Sequence, residues 1–156
     1  TSVQGHSNNA LNAALPETWD FIATVLDTVT DLFPFRLIHV GGDEVAANAW
    51  LASPKARALM QREGLAGTFE FQSHFLTRLK TMLAERGRDL AGWNEVAHGG
   101  GVDRSGTLLM AWQSPEVGLD LAKQGYDVVM TPGQAYYLDM AYTPRLVGGR
   151  GRLGRL

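Results

Sequence analysis

Two carboxylic acids stand side by side in this chain, Asp43 and Glu44, directly behind Gly41, Gly42 and a short apolar run. Neighbouring carboxyls in a partly dry site do not both ionise cheaply, so one is expected to hold its proton beside a charged partner. A group that protonates a leaving oxygen near neutral pH needs that state. The dipeptide alone fits a solvated turn or a helix N-terminus better. Its company tilts the balance. Further along stand Trp93, Asn94 and Glu95, then Trp112 and Gln113, then Gln134, Tyr136, Tyr137 and Asp139. Aromatic faces cover the C–H patches of sugar rings, while acids and amides bind hydroxyls, so this mixture points to carbohydrate.

The other candidates carry weaker signals. His39 has no second histidine nearby, so a hydrogen-bonded core histidine is expected over a metal ligand, with a role in positioning the acids as the functional alternative. Trp93 and Trp112 are expected as pocket walls, Trp19 and Trp50 as packing. Glu95 is expected to support the site by hydrogen bonding or to be a loop charge, rather than to be a second catalytic acid. Gly99, Gly100 and Gly101 lack a following Gly-Lys-Ser/Thr and make no phosphate loop.

The elements that must position these residues alternate. Trp19, Ile22, Leu26, Val29 and Phe33 recur at helical spacing and predict a helix over 16–33, ended by Pro34. Phe35 to Val40 reads as a buried strand stopped by two glycines. Ser53 and Pro54 open a second helix that Gly64 closes. A third spans about 68–86, with Phe71, Phe75, Leu79 and Met82 on one side and Gly87 behind it. Strands are predicted at 89–93, 107–112 and 127–130. Ser114 and Pro115 start the helix between the last two, and Gly125 stops it. Strand–helix alternation implies α/β structure with a parallel sheet. The link 94–106 is glycine-rich and short, and is predicted as an irregular loop. In barrels of this class the active site gathers at the C-terminal ends of the strands, where all the candidates fall.

The bulk properties set the limits. The chain has 156 residues, about one domain's worth, and a formal net charge of −2, which offers no pull toward nucleic acid or an anionic membrane. It lacks cysteine, which removes disulfides and thiolate metal sites. No apolar stretch of membrane-spanning length occurs, and the polar start, 1–9, does not read as a signal peptide. Residues 147–156, rich in glycine and arginine, read as a flexible tail rather than a nucleic-acid arm.

His39-Val40-Gly41-Gly42-Asp43-Glu44-Val45 resembles the signature of glycoside hydrolase family 20, the β-N-acetylhexosaminidases. Supporting pieces follow the family's order: Leu32-Phe33-Pro34, Gly92-Trp93-Asn94-Glu95, Met110-Ala111-Trp112, and Met130-Thr131-Pro132 leading to Tyr137-Leu138-Asp139. The resemblance covers about Leu11 to Thr143. It implies a partial (β/α)8 TIM barrel holding about strands 4 to 7 of eight over 1–146. It also implies exo-hydrolysis of terminal non-reducing β-linked N-acetylhexosamine (GlcNAc or GalNAc) by substrate-assisted retaining catalysis, with no metal or organic cofactor. The implied partner is an N-acetylhexosamine-containing glycoside or a chitooligosaccharide, and the family permits secreted, periplasmic or lysosomal placement. By the same resemblance Glu44 is the general acid and base, and Asp43 orients the acetamido group. Tyr137 donates to the acetamido oxygen, Trp93 and Trp112 wall the acetamido methyl, and Asp139 holds distant hydroxyls. The family's common motif has aspartate where Asn94 stands. Its early arginine and its last pocket tryptophan have no counterpart here, and the basic tail stands where the family continues. The competing expectation is a truncated, non-catalytic fragment with residual sugar-binding surface; because four barrel strands leave two open edges, the isolated chain is expected to be unstable or aggregation-prone, or to pair with missing segments from elsewhere.

Overall fold

The computed structural model describes residues 10–139; both the polar start and the Gly/Arg tail lie outside that range. Helix α1 (Pro16–Leu32) begins with proline in its first turn, where the missing N–H costs nothing, and buries Thr18, Trp19, Ile22 and Leu26. Phe33 ends the helix in extended geometry and is 52% exposed, so the apolar stripe stops one turn earlier than its spacing predicts. Strand β1 (Leu37–His39) is shorter than expected and is not buried. Among the described residues its one neighbour in the sheet is β2, and Phe35 and Leu37 are exposed.

Helices α2 (Pro54–Glu63) and α3 (Thr68–Ala84) follow. The Ser53 hydroxyl caps α2 by accepting from the Ala56 N–H, and Gly64 closes it in left-handed geometry, as the sequence predicts. On α3, Phe71, Leu76, Leu79 and Leu83 face the core; Phe71 and Leu83 are completely buried. Trp19 and Trp50 join them, Trp19 against Phe75 and Trp50 against Phe71. Truncating Phe71 to alanine would cost about 3–5 kcal/mol at such a site.

Strand β2 (Asp89–Trp93) leads into an irregular 3-10 segment, Asn94–Gly100, kinked at His98 and Gly99 and packed on α3. A Cβ on Gly99 would collide with the backbone of Phe69, which accounts for one glycine of this run by close packing. Lys80 of α3 ties down the remainder, donating to the carbonyl oxygens of Asp103 and Ser105 and to the Thr107 hydroxyl. Strand β3 (Thr107–Ala111), helix α4 (Pro115–Lys123) with its Ser114 cap, strand β4 (Asp127–Met130) and the one-turn helix α5 (Gly133–Tyr136) complete the described residues.

The four strands are parallel and paired in chain order, β1-β2-β3-β4. Every strand therefore delivers its C-terminal end to the same rim. The interior strands are the buried ones: Leu90, Leu109 and Ala111 are fully shielded, whereas Val129 and Met130 on the far edge are about 40% exposed.

Candidate active site

The acid side of the rim grows out of β1. Two ladder bonds carry the pairing past His39: Val40 N–H donates to Ala91 O and Trp93 N–H to Gly41 O, both at 2.9 Å. The chain then turns through left-handed geometry at Gly41 and Gly42, with φ of 77° and 98°. Gly42 and Gly92 straddle Val96; an added Cβ would lie 2.7 and 2.6 Å from its Cγ2, so larger residues do not fit there. Gln72, buried on α3, donates to Gly42 O at 2.6 Å and pins the turn from below.

Glu44 follows with φ of 49°, a conformation uncommon outside glycine that costs about 1–3 kcal/mol where it is held. Of the two acids, Asp43 is half-buried and Glu44 is exposed. The enclosed setting expected for the pair is thus only half built by the described residues, because β1 has one neighbour among them.

His39 is an exposed residue beside the acids rather than the core histidine the sequence suggests. Its Nδ1 accepts from the Gly41 N–H at 3.2 Å, which assigns the proton of the neutral ring to Nε2. The ring meets Trp93 edge-on, centroids 4.8 Å apart at 72°. Partial burial holds His39 below the ordinary imidazole value of 6.5, and the charge of Asp43 opposes that shift.

The wall side is built from the ends of β2, β3 and β4. Asn94 and Glu95 leave β2 almost wholly buried. Trp112 follows β3; its backbone N–H donates to Asn94 Oδ1 at 3.1 Å and its indole N–H to Glu95 Oε2 at 3.0 Å. The Trp112 ring lies nearly parallel to that of Tyr137, at 12° and 6.3 Å between centroids. Tyr137 is delivered by α5, itself hung on β3 through Gly133 N–H to Trp112 O at 2.8 Å and Thr131 N–H to Ala111 O at 3.0 Å. Burial raises the Tyr137 phenol above its ordinary value, and the charges of Asp139, Asp43, Glu44 and Glu95 push it the same way. The charges that act on this phenol therefore come from residues that follow three different strands. Asp139 itself is exposed.

The structure thus brings together His39, Asp43, Glu44, Trp93, Trp112, Tyr137 and Asp139 on one rim. Sequence reasoning missed Gln72 and α5. Gln72 had a legible signal, a polar side chain set among Phe71, Phe75, Leu76 and Leu79 on an apolar helix stripe. Two cavities of about 430 and 420 Å³ lie away from this rim, one between α1, α2 and α3, the other at the strands' N-terminal ends. Among the described residues, no group of three or more His, Asp or Glu side chains is arranged to hold a metal.

Comparison with known proteins bears directly on this arrangement. The model of the glycosyl hydrolase family 20 catalytic domain matches residues 1–148. A β-hexosaminidase of Vibrio furnissii is 41% identical over 149 residues, covering 94% of the chain and 24% of the relative. One of Porphyromonas gingivalis is 32% identical over 153 residues, covering 94% of the chain and 19% of the relative. The chain therefore spans a quarter or less of the length of these curated relatives. The crystal structure of a family 20 exo-β-N-acetylglucosaminidase from Vibrio harveyi, in complex with N-acetylglucosamine, superposes with a TM-score of 0.80 at 41% identity. That match covers 85% of this chain and 20% of that one. A β-N-acetylhexosaminidase from Bacteroides fragilis gives 0.76 at 25% identity, covering 87% and 28%. The four-stranded parallel sheet is accordingly part of a TIM barrel, as the sequence implies. With the family model spanning nearly its whole length, the chain belongs to glycosyl hydrolase family 20.

Proposed function

We propose that this chain forms the acid-bearing part of the mouth of an enzyme that removes terminal non-reducing β-linked N-acetylhexosamine. The observation that carries the reading is the placement of Asp43 and Glu44 after β1 and of the parallel Trp112 and Tyr137 rings after β3 and β4, at the same rim of one parallel sheet. The names of the relatives support the substrate class, and the Vibrio harveyi complex shows N-acetylglucosamine bound to a related protein.

In this mechanism the substrate's acetamido oxygen attacks its own anomeric carbon while Glu44 gives a proton to the departing glycosidic oxygen. The carbon–oxygen bond to the leaving group breaks, and a cyclic oxazolinium ion remains. Glu44, now a carboxylate, takes a proton from a water molecule. The oxygen of that water attacks the anomeric carbon, reopens the ring and restores the original configuration. Asp43 faces the acetamido nitrogen, where positive charge develops only on the way to the intermediate, so its stabilisation is selective for the transition state. Tyr137 donates to the acetamido oxygen, Trp93 and Trp112 enclose the methyl group, His39 steadies the acid turn, and Asp139 binds hydroxyls on the far side of the sugar.

The test is release of a chromophore from an aryl N-acetyl-β-glucosaminide by the protein expressed from its complete coding sequence. Activity that Glu44→Gln abolishes is the expected result. A matching glucoside without the acetamido group should be turned over very poorly, and equal rates on the two would refute substrate assistance. Binding without turnover would leave a sugar-binding surface and no enzyme.

A further inference from the structure

Asn94, Glu95, Trp112 and Gln113 form a closed circuit of hydrogen bonds in which each donor has one acceptor. The Trp112 backbone N–H donates to Asn94 Oδ1. Asn94 Nδ2 donates to Gln113 Oε1 at 2.9 Å. Gln113 Nε2 donates to Glu95 Oε1 at 3.4 Å, and the Trp112 indole N–H donates to Glu95 Oε2. The directions are forced. Because Trp112 N–H fills Asn94 Oδ1, the Asn94 amide presents its NH2 to Gln113; Gln113 must then answer with its oxygen and aim its own NH2 at Glu95. Position 95 thus receives two donors at once, and only a side chain with two acceptor oxygens satisfies both. Glutamine there would set an NH2 against one of them.

Glu95 is 5% exposed and has no cationic partner among the described residues. A buried charge held only by neutral donors is a costly way to fill space. What it secures is the plane of the Trp112 ring, and through ring stacking and α5 the place of Tyr137. Gln134 extends the circuit by donating to Gln113 O at 2.9 Å, so the ends of β2 and β3 and the turn after β4 are locked together.

We propose that Glu95 is a positioning residue: through the circuit with Asn94 and Gln113 it fixes the Trp112–Tyr137 wall and thereby sets how tightly the site discriminates among N-acyl groups. This rests on the hydrolase reading above, and the experiment separates the two.

With the full-length protein, kcat/KM is measured on aryl N-acetyl- and N-propionyl-β-glucosaminides, and the Trp112 indole 15N–1H resonance is recorded. Glu95→Gln should lower kcat/KM for the N-acetyl substrate about tenfold, as expected for one buried donor left without an acceptor. It should also narrow the N-acetyl preference, since a loosened wall no longer rejects one extra methylene, and shift the indole resonance. Adding Gln113→Glu to Glu95→Gln returns an acceptor to every donor and conserves net charge, so it should restore the preference and the resonance. Loss of rate with unchanged acyl preference and no recovery in the double variant would overturn the assignment, as would a Glu95→Gln protein indistinguishable from wild type. Should the wild type turn over neither glycoside, the hydrolase reading fails. The indole resonance then decides the circuit alone: shifting in Glu95→Gln and returning in the double variant upholds it, and an unmoved signal rejects it. If Glu95→Gln does not fold, Gln113→Leu, which breaks the circuit at its third link, must narrow the acyl preference in the same way.

Discussion

The two sides of the candidate mouth are held by opposite means. On the acid side, Asp43 and Glu44 sit on a left-handed turn after β1, one half-buried and the other exposed, and few side chains restrain them: Gln72 from below and His39 from the side. On the wall side, Asn94 and Glu95 are buried and are hydrogen-bonded to Gln113 and Trp112. The difference suggests a division of labour. Under the proposed roles, the acids keep contact with solvent and Glu44 carries backbone strain, whereas the side chains that would shape the cavity are bonded to one another. Substitutions of the acids themselves should therefore act on rate with little effect on folding. Substitutions on the wall side or in the packing beneath should act on stability as well.

The largest effect should come from the acids. In the full-length protein, Asp43→Asn is expected to lower kcat roughly a hundredfold or more, as for the loss of a preorganised electrostatic partner. The melting temperature should stay within about 2 °C, since the half-exposed Asp43 has no recorded ion pair among the described residues. A melting temperature that fell along with the rate would erase the contrast between the two sides.

Next come the glycines that meet Val96. Gly92→Ala drives a methyl group into Val96 Cγ2 and should cost about 1–3 kcal/mol by overpacking. Gly42→Ala meets the same atom but also carries a φ of 98°, so it should cost more. Combining each with Val96→Ala sharpens the comparison. Chemical denaturation should show substantial recovery for Gly92→Ala, where the strain is steric, and only partial recovery for Gly42→Ala, where the backbone strain remains.

Much of this arrangement could be read from the chain, and what could not shares one physical cause. Local chemistry was legible: Ser53, Pro54 and Gly64 mark α2, Ser114 and Pro115 start α4, and β2 and β4 fall at their expected residues. These features depend on neighbours in sequence. Chain order also placed the acids, the tryptophans and Tyr137 at strand ends, which a parallel sheet gathers at one rim. Burial was not legible where it depends on a distant partner. Phe35 and Leu37 look like core and are exposed where β1 has one neighbour among the described strands; Glu95 could be read as a hydrogen-bonding support or a loop charge, and only its buried bonds to Trp112 and Gln113 decide for the first. His39 looks like a core residue and is exposed at the end of β1. Helix α5 is a single turn, too short to show periodicity, and is fixed by its bonds to β3.

A smaller effect is expected at Gln72, the support of the acid turn. Gln72→Leu keeps the helix stripe apolar but leaves Gly42 O without its donor. Stability should fall by about 1 kcal/mol, the net worth of one hydrogen bond. If the turn positions Glu44, kcat should fall by a larger factor than that stability loss alone would suggest. A loss confined to stability would make Gln72 a packing residue.

The smallest effect concerns His39 and its pH dependence. Burial holds the folded-state value below 6.5, so in the window between that value and 6.5 the unfolded chain binds a proton that the folded chain does not. Stability contributed by the neutral ring is therefore fully present above about pH 6.5 and is lost as pH falls through the window. Protonation would also place a second N–H against the Gly41 N–H, ending the bond that ties the ring to the acid turn. The quantity to measure is the difference between wild type and His39→Gln in denaturation midpoint between pH 7.5 and 5. Glutamine still offers an oxygen to Gly41 but does not titrate, so the midpoint of the variant should fall less on acidification. Asp43 supplies the opposing charge, and Asp43→Asn should lower the His39 value further, which an NMR titration of the ring proton would register directly. An unchanged His39 titration in that variant would mean that the acid turn and the histidine are electrostatically separate, and that only the Gly41 hydrogen bond couples them.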